Sequence, residues 1–596
     1  MKNHFTKISK LGLLLMLGLS YTTHARANLS HFPMSEFSAQ EVIDVKITVV
    51  DAKTGNPLNG VNIMNNNKAI GFTNSNGVFQ GSVLKGSTIS IKMIGYNATS
   101  FKAEKDNYTI QLTEVDESIE EVVVTALGIK REEQALGYAA STVKGEQLTE
   151  ALSNNWMDAL SGKVAGVNLM RSNSGPVGST KIILRGENNL TGENEALIVV
   201  DGVIINGGSG RRSALGSDSP YGTGSDNMPV DYGSGMDDIN PEDIESITVL
   251  KGPGAAALYG QRGANGAVII TTKSGTQKSK GIGITVNSNT SFESMNRSPE
   301  LQYVYGQGLD GAAHYSFGST VDGGSTSGTS SAYGPKFDGQ EFFQWDPLTQ
   351  KVGESRTPWR AYDGKNGVNG FFDVGRTFTN SVSIDGSTDK TTARFSATNV
   401  QNKWIVPNTG YKRNTLALSV NSKVTDKLTI NSKINYNNRW SDNLPGSGYG
   451  NQSLMYWYIF WQPSADINWL RNYWVNGEED RKIAYPFSTY PENPYAISYE
   501  FINANNRHTI TGNAQASYQF SPNLMAQVRA AMDMSTEDRN QNRPYDAGSR
   551  LREGSYRSQS VFSRETNLDF LVRYNKEINE DFDFSVTAGG STLRNE

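Results

Sequence analysis

The chain has 596 residues, 37% hydrophobic and 19% charged, with a net charge of −5. It is too long for one ordinary core, and no interior apolar run is long enough to cross a bilayer as a helix. The mild acidity argues against nucleic acid as the partner, and the absence of cysteine excludes disulfides, thiolate metal sites and cysteine catalysis. Sixty glycines and 26 tyrosines point instead to a turn-rich β protein.

At the start, Lys2, Lys7 and Lys10 precede an apolar stretch over 11–19, and Ala25-Arg26-Ala27 supplies a small-x-small pattern. Residues 1–27 therefore read as a secretory signal peptide and 28–42 as a polar linker. From 43 to 114 short β-branched runs alternate with turn signals: Val45, Ile47 and Val49, then Asp51 to Pro57; Val61 and Ile63; Phe72, then Asn74-Ser75-Asn76-Gly77; Ile89, Ile91 and Met93; Tyr108, Ile110 and Leu112. Even spacing of that kind predicts a β-sandwich. Of the histidines, His31, His314 and His508 lie beyond the signal peptide, and none sits in a metal-binding spacing.

Residues 115–137 hold a different kind of strand. Val122, Val123, Val124 and Thr125 are strand-prone, yet Glu117, Glu120 and Glu121 precede them and Lys130, Arg131, Glu132 and Glu133 follow. With no hairpin signal on either side, the stretch is expected to lack a neighbouring partner and to offer its free edge to another chain.

Residues 138–275 read as a mixed α/β unit. Leu152, Trp156, Leu160 and Val164 fall at helical spacing over 148–164. A strand runs into Arg185-Gly186, two strands over 196–205 meet at Asp201-Gly202, and Asn240-Pro241 caps a short helix. Strands follow over 246–253 and 266–273, with a helix around 255–259 between them. The glycines of 251–260 lack the spacing of a phosphate-binding loop. The acidic group Asp237, Asp238, Glu242, Asp243 and Glu245 reads as a solvated helix start in preference to a calcium site.

Here the chain resembles a known family. The stretch 121–128, Leu184-Arg185-Gly186, Val199-Val200-Asp201-Gly202-Val203, the run Asp243 to Ile247 with Val249-Leu250-Lys251-Gly252-Pro253, Ala257-Leu258-Tyr259-Gly260 and Gly263-Ala264-Asn265-Gly266 look like the SusC/RagA-type TonB-dependent transporters of the bacterial outer membrane. The resemblance implies a carboxypeptidase-regulatory-like β-sandwich over 43–114 and a Ton box of Glu121, Val122, Val123, Val124, Thr125 and Ala126, followed by a plug over 138–275. The plug residues it marks are Arg185, Gly186, Asp201, Gly202, Lys251, Gly252, Pro253, Tyr259, Gly260, Gly263 and Gly266. It also implies TonB with ExbB/ExbD and a SusD-like surface lipoprotein as partners, an oligosaccharide or peptide as cargo, and no cofactor, metal or catalytic residue.

Residues 276–596 add support of their own. Ile282, Ile284 and Val286 alternate with Thr285 and Asn287, and the same period recurs through Phe378, Val382 and Ile384, through Leu416, Leu418 and Val420, and on to Phe582, Phe584 and Val586. Apolar on one face and polar on the other suits a transmembrane β-barrel. Tight turns near 387–389, 425–427, 521–523 and 579–580 alternate with long excursions over 293–375, 401–412, 438–507 and 536–559, as periplasmic turns alternate with extracellular loops. About nine strands can be counted, whereas a barrel around such a plug needs roughly 22. The expectation is therefore a mainly β chain carrying only the first part of its barrel. Tyr456, Trp457, Tyr458, Trp461, Trp469 and Trp474 are candidate contacts for substrate or lipoprotein, with loop packing the plainer alternative. A signalling receptor, a surface hydrolase and, as the runner-up cargo, an iron chelate complete the field. No G-x-S-x-G or paired metal histidines support the hydrolase.

Overall fold

The computed structural model describes residues 41–596 except 67, 94–95, 114–121, 125–129, 133–139, 151–154, 173, 191–193, 206–229, 253–254, 256–258, 276–280, 310, 329–331, 447–451, 488–491, 549–550 and 580–581. The signal peptide and most of the linker lie outside the described residues. Two compact units divide the chain, Met1–Glu120 and Glu121–Glu596.

The first unit is two small sheets face to face. β1 (Val42–Asp51) pairs antiparallel with β4 (Val78–Leu84) and parallel with β7 (Asn107–Leu112). The other sheet runs β3 (Lys68–Phe72), β2 (Asn62–Asn65), β5 (Thr88–Lys92), β6 (Thr99–Lys102). Alternate side chains Val45, Ile47, Val49, Ile63, Ile89 and Ile91 fill the space between them, as a period-two pattern requires. β6 escapes the sequence reading because Thr-Ser-Phe-Lys carries a single apolar residue.

The second unit begins with a correction. β8 (Val122–Val124) has a local partner: it pairs antiparallel with β9 (Lys130–Glu132), Val123 opposite Arg131. Backbone pairing asks nothing of side-chain polarity, so the charged Lys-Arg-Glu run serves as a strand that the sequence did not advertise.

The plug follows. Its sheet has the order β10 (Ala140–Lys144), β15 (Ile244–Leu250), β16 (Ala267–Thr272), β13 (Leu197–Val200), β14 (Val203–Ile205), with only β13 and β16 parallel. β11 (Val167–Arg171) and β12 (Thr180–Leu184) form a separate pair. The helix expected over 148–164 is two short ones, Gly145–Glu150 and Trp156–Leu160. The Asn155 side chain accepts from the Met157 N–H and starts the second afresh, so Trp156 and Leu160 still reach the core.

The largest sheet holds nine antiparallel strands in sequence order. It opens with β17 (Gly281–Glu293). Two ladders of two residues each follow inside the first long connection: β18 (Glu341–Phe342) with β21 (Thr357–Pro358), and β19 (Trp345–Asp346) with β20 (Lys351–Val352). β22 (Gly375–Ser387), β23 (Thr391–Lys403), β24 (Gly410–Lys423), β25 (Leu428–Ser441), β26 (Ile502–Ser521), β27 (Leu524–Arg543), β28 (Ser555–Asn579) and β29 (Phe582–Asn595) complete it. Ile282, Ile284 and Val286 are 78%, 67% and 71% exposed on one face, whereas Arg394, Ser396 and Thr398 are buried on the other. This is the two-faced wall of an outer-membrane barrel. Among the described residues β17 and β29 each pair on one side only.

Three excursions are shorter than the sequence implied. The connections run over 404–409, 442–501 and 544–554, because β23 to β28 continue past the apolar band into polar residues such as Asn503–Arg507 and Thr536–Arg543. Loss of the apolar pattern ended the predicted strands while the hydrogen-bond ladder went on.

Candidate functional site: the seam between plug and wall

The plug is fastened to the polar face of the nine-stranded sheet by buried charge. Asp238 is the hub. It accepts from Arg439 Nε at 3.2 Å, Arg507 Nε at 2.7 Å, Thr509 Oγ1 at 2.8 Å and Asn437 Nδ2 at 3.1 Å. The Arg439 and Asp238 side chains are 2% and 4% exposed, so the pair works where screening by water is weak. Burial alone would lift the Asp238 carboxyl, but Arg507 and Arg439 hold it below the usual carboxylate range. Behind them Glu537 accepts from Arg507, Arg539 and Asn505, and the Arg539 guanidinium lies 4.6 Å from the centre of the Tyr232 ring.

Three further fastenings flank the hub. Asp243 accepts from Arg394 at 2.8 Å and Ser396 at 2.6 Å. Asp201 accepts from Lys433 at 2.8 Å, and Lys433 also donates to the Thr272 carbonyl. Arg262 makes a two-pronged contact with Glu565, each donor 3.1 Å from its acceptor. Of the acidic group only Glu245 is solvent-exposed, and Glu242 is half-buried. Asp237, Asp238 and Asp243 are buried, and the last two meet arginines from strands more than 150 residues away, which local reading cannot see. A signal was available: Arg394, Arg439, Arg507 and Arg529 each fall on the polar phase of a period-two strand, where a free cation in a lumen invites a carboxylate.

Asp237 behaves differently from its neighbour. Its Oδ2 accepts from the Ser234 N–H at 2.7 Å, and its Oδ1 has no hydrogen-bond partner. Burial pushes its carboxyl up to about 6, against the pull of Arg439. A carboxyl raised in the folded state favours folding as pH falls through 6 towards its unfolded value near 4, and that contribution is lost as pH rises through 6. The native protein should therefore gain stability between pH 7.5 and 5, and Asp237→Asn should flatten that slope. Urea unfolding midpoints at the two pH values check this, and an unchanged slope in the variant refutes it.

Most residues marked by the family resemblance turn out to shape the plug. Asp201 (φ 49°) and Gly202 (φ 81°) are the two-residue turn between β13 and β14 that Asp-Gly predicts. A Cβ on Gly202 would stand 2.0 Å from Arg529 Nη1, so glycine serves both the turn and the close docking on β27. Gly266 (φ 92°) admits no Cβ because Leu184 and the Leu250 carbonyl stand 2.6 and 2.7 Å away. Arg185 (φ 61°) and Gly186 (φ 92°) leave β12, a Cβ on Gly252 would stand 3.2 Å from Arg185 Nη1, Lys251 donates to Ser141 at 3.0 Å, and Tyr259 precedes the turn Gly260–Gly263. Pro253, and Glu121, Thr125 and Ala126 of the expected Ton box, lie outside the described residues.

The aromatic cluster divides. Trp457 is fully buried and Trp461 nearly so, packed with Phe371, Phe487 and Tyr495 in a core formed by the long connections, whereas Tyr456, also nearly buried, meets Phe460. Tyr458 donates to Asn369, and Trp469 meets Tyr362 edge to face. Trp474, partly buried, lines an open recess. Among the described residues no group of three or more acidic or histidine side chains is placed to hold a metal.

Residues 132–267 match the TonB-dependent Receptor Plug Domain family. The chain is 26% identical over 490 residues to the TonB-dependent receptor SusC of Bacteroides thetaiotaomicron, covering 80% of this chain and 43% of SusC. It is 32% identical over 177 residues to the ferric enterobactin receptor PirA of Pseudomonas aeruginosa, covering 29% and 22%. Its fold is similar to that of the RagAB peptide importer in the open-open state, at TM-score 0.59 and 20% identity, over 80% of this chain and 49% of that one. The chain spans less than half the length of these relatives. With a plug pinned by buried ion pairs to a two-faced sheet, residues 132–267 belong to the TonB-dependent receptor plug domain family, and the chain is similar to SusC over 80% of its own length.

Proposed function

We propose that this chain is part of an active importer that takes up an oligosaccharide or peptide across the bacterial outer membrane. A SusD-like lipoprotein would cap its outer side, and TonB with ExbB/ExbD would drive it from the periplasm. The observation that carries the reading is the seam: a plug held by Asp201, Asp238 and Asp243 to wall residues of β23 to β26 must be moved before anything passes. Separating a buried pair leaves each charge uncompensated and is costly, so work applied to the plug would open a path that thermal motion does not. Residues 121–126 are proposed as the Ton box, and the unit of 43–114 as a separate periplasmic module. Support for the cargo class comes from SusC and RagAB, and for the lipoprotein from the same likeness. No catalytic residue is assigned.

The test is uptake by cells expressing the protein with its natural neighbours. Accumulation of the cargo should stop when the proton gradient is collapsed or TonB is deleted, and a surface lipoprotein should co-purify. The likeness to PirA keeps ferric-chelate uptake as the second reading. Growth rescued by the chelate under iron limitation, and not by glycan or peptide, would replace the first reading with the second.

A further inference from the structure

At the end of the sheet that carries the long connections lies an open recess of about 610 Å³. Its walls come from three separate segments: Trp474 and Asp480 from the connection before β26, Glu500 from the helix Pro494–Glu500, and Tyr545, Glu553 and Tyr556 from the connection between β27 and β28 with the first residues of β28. Tyr545 and Tyr556 are 54% and 70% exposed and line the recess. Three carboxylates share the recess with one cation, Arg543, and that cation is turned away. Its guanidinium donates to Gln452, to the Ile502 and Asn542 carbonyls and to Asn503, and it covers the Phe501 ring. Glu500 accepts from the Tyr473 hydroxyl at 2.7 Å, whereas among the described residues Asp480 and Glu553 have no hydrogen-bond or ion-pair partner. Arg481, Lys482 and Arg552 are close to Asp480 and Glu553 in sequence but do not line the recess.

Aromatic faces lined with carboxylates attract cations twice over, through the ring quadrupole and through charge. A neutral sugar would use only the aromatic half of such a surface. We propose that this recess is a subsite for the basic side chains of a peptide, lysine or arginine, arriving from outside the cell. The proposal rests on the importer reading for its purpose, and it narrows the cargo of that reading from oligosaccharide or peptide to peptide carrying positive charge.

The experiment titrates the detergent-purified protein with trilysine, triglutamate, trialanine and maltotriose, following tryptophan fluorescence and heat. Trilysine should bind best, and its affinity should fall as salt is raised from 50 to about 300 mM. The double variant Asp480→Asn/Glu553→Gln should weaken trilysine about tenfold and leave trialanine unchanged, and Trp474→Ala should weaken it several-fold. Glu553→Lys should abolish trilysine binding. Both acidic positions are exposed, so these variants leave the core alone. Equal binding of trilysine and trialanine, maltotriose binding that Trp474→Ala removes, or an unaltered trilysine affinity in the double variant would each overturn the subsite. Uptake is measured separately. Trilysine binding that persists in cells showing no TonB-dependent uptake would sink the importer reading and leave the subsite standing.

Discussion

Asp238→Ala should cost about 3–5 kcal/mol of stability, the usual penalty for removing one partner of a buried ion pair. The loss would be large because Asp238 answers to two arginines at once. Arg439 is 2% exposed and Arg507 is 14% exposed, so neither can turn to water when the carboxylate is gone. Thr509 and Asn437 would lose their acceptor as well. Asp238→Asn, which keeps an acceptor oxygen but no charge, should fall between the wild type and the alanine variant. A contrast is built into the same wall. Lys412 and Asp442 approach to 3.3 Å, but their side chains are 47% and 84% exposed, and Lys412→Ala should change stability by no more than about 1 kcal/mol. Urea unfolding in detergent gives both numbers, and hydrogen exchange across β10, β15 and β16 reports whether the plug loosens first. If Asp238→Ala unfolds within about 0.5 kcal/mol of the wild type, the seam is not held at this point.

The parts of this architecture that follow a local rule were legible in the chain. Period-two alternation is enforced residue by residue by the two faces of the wall, so Ile282, Ile284 and Val286 declare β17 unaided. Asp201-Gly202 declares its turn because few other pairs accept left-handed backbone twice running. What stayed hidden rests on contacts between distant segments. The partners of Asp238 lie about 200 and 270 residues downstream, and no window of sequence contains both ends. β9 was hidden for another reason: a backbone ladder leaves no mark on side chains, and Lys-Arg-Glu looks like a linker. Trp457 and Trp461 had the composition of a binding surface and the fate of a core, because loops of sixty residues need an interior of their own.

Val123→Pro should abolish TonB-dependent uptake at normal expression, whereas Val123→Thr should leave most of it. Strand addition draws its affinity from main-chain hydrogen bonds, so a side chain that keeps the backbone donor is tolerated and a proline that removes it is not. The pairing of β8 with β9 sharpens this expectation. Two strands leave β8 one open edge, and among the described residues nothing occupies it. TonB can therefore add as a third strand on that edge, or it can displace β9 and take its place. Arg131→Pro separates the two routes, because it weakens β9 at the residue opposite Val123. If β9 must be displaced, the variant removes a competitor and TonB should bind a peptide or protein carrying residues 115–137 more tightly, by severalfold. If β9 instead holds β8 extended for addition at the free edge, the same variant should weaken binding. Uptake that survives Val123→Pro at wild-type expression would remove residues 121–126 from the mechanism altogether. The coupling strand would then have to be sought elsewhere ahead of the plug.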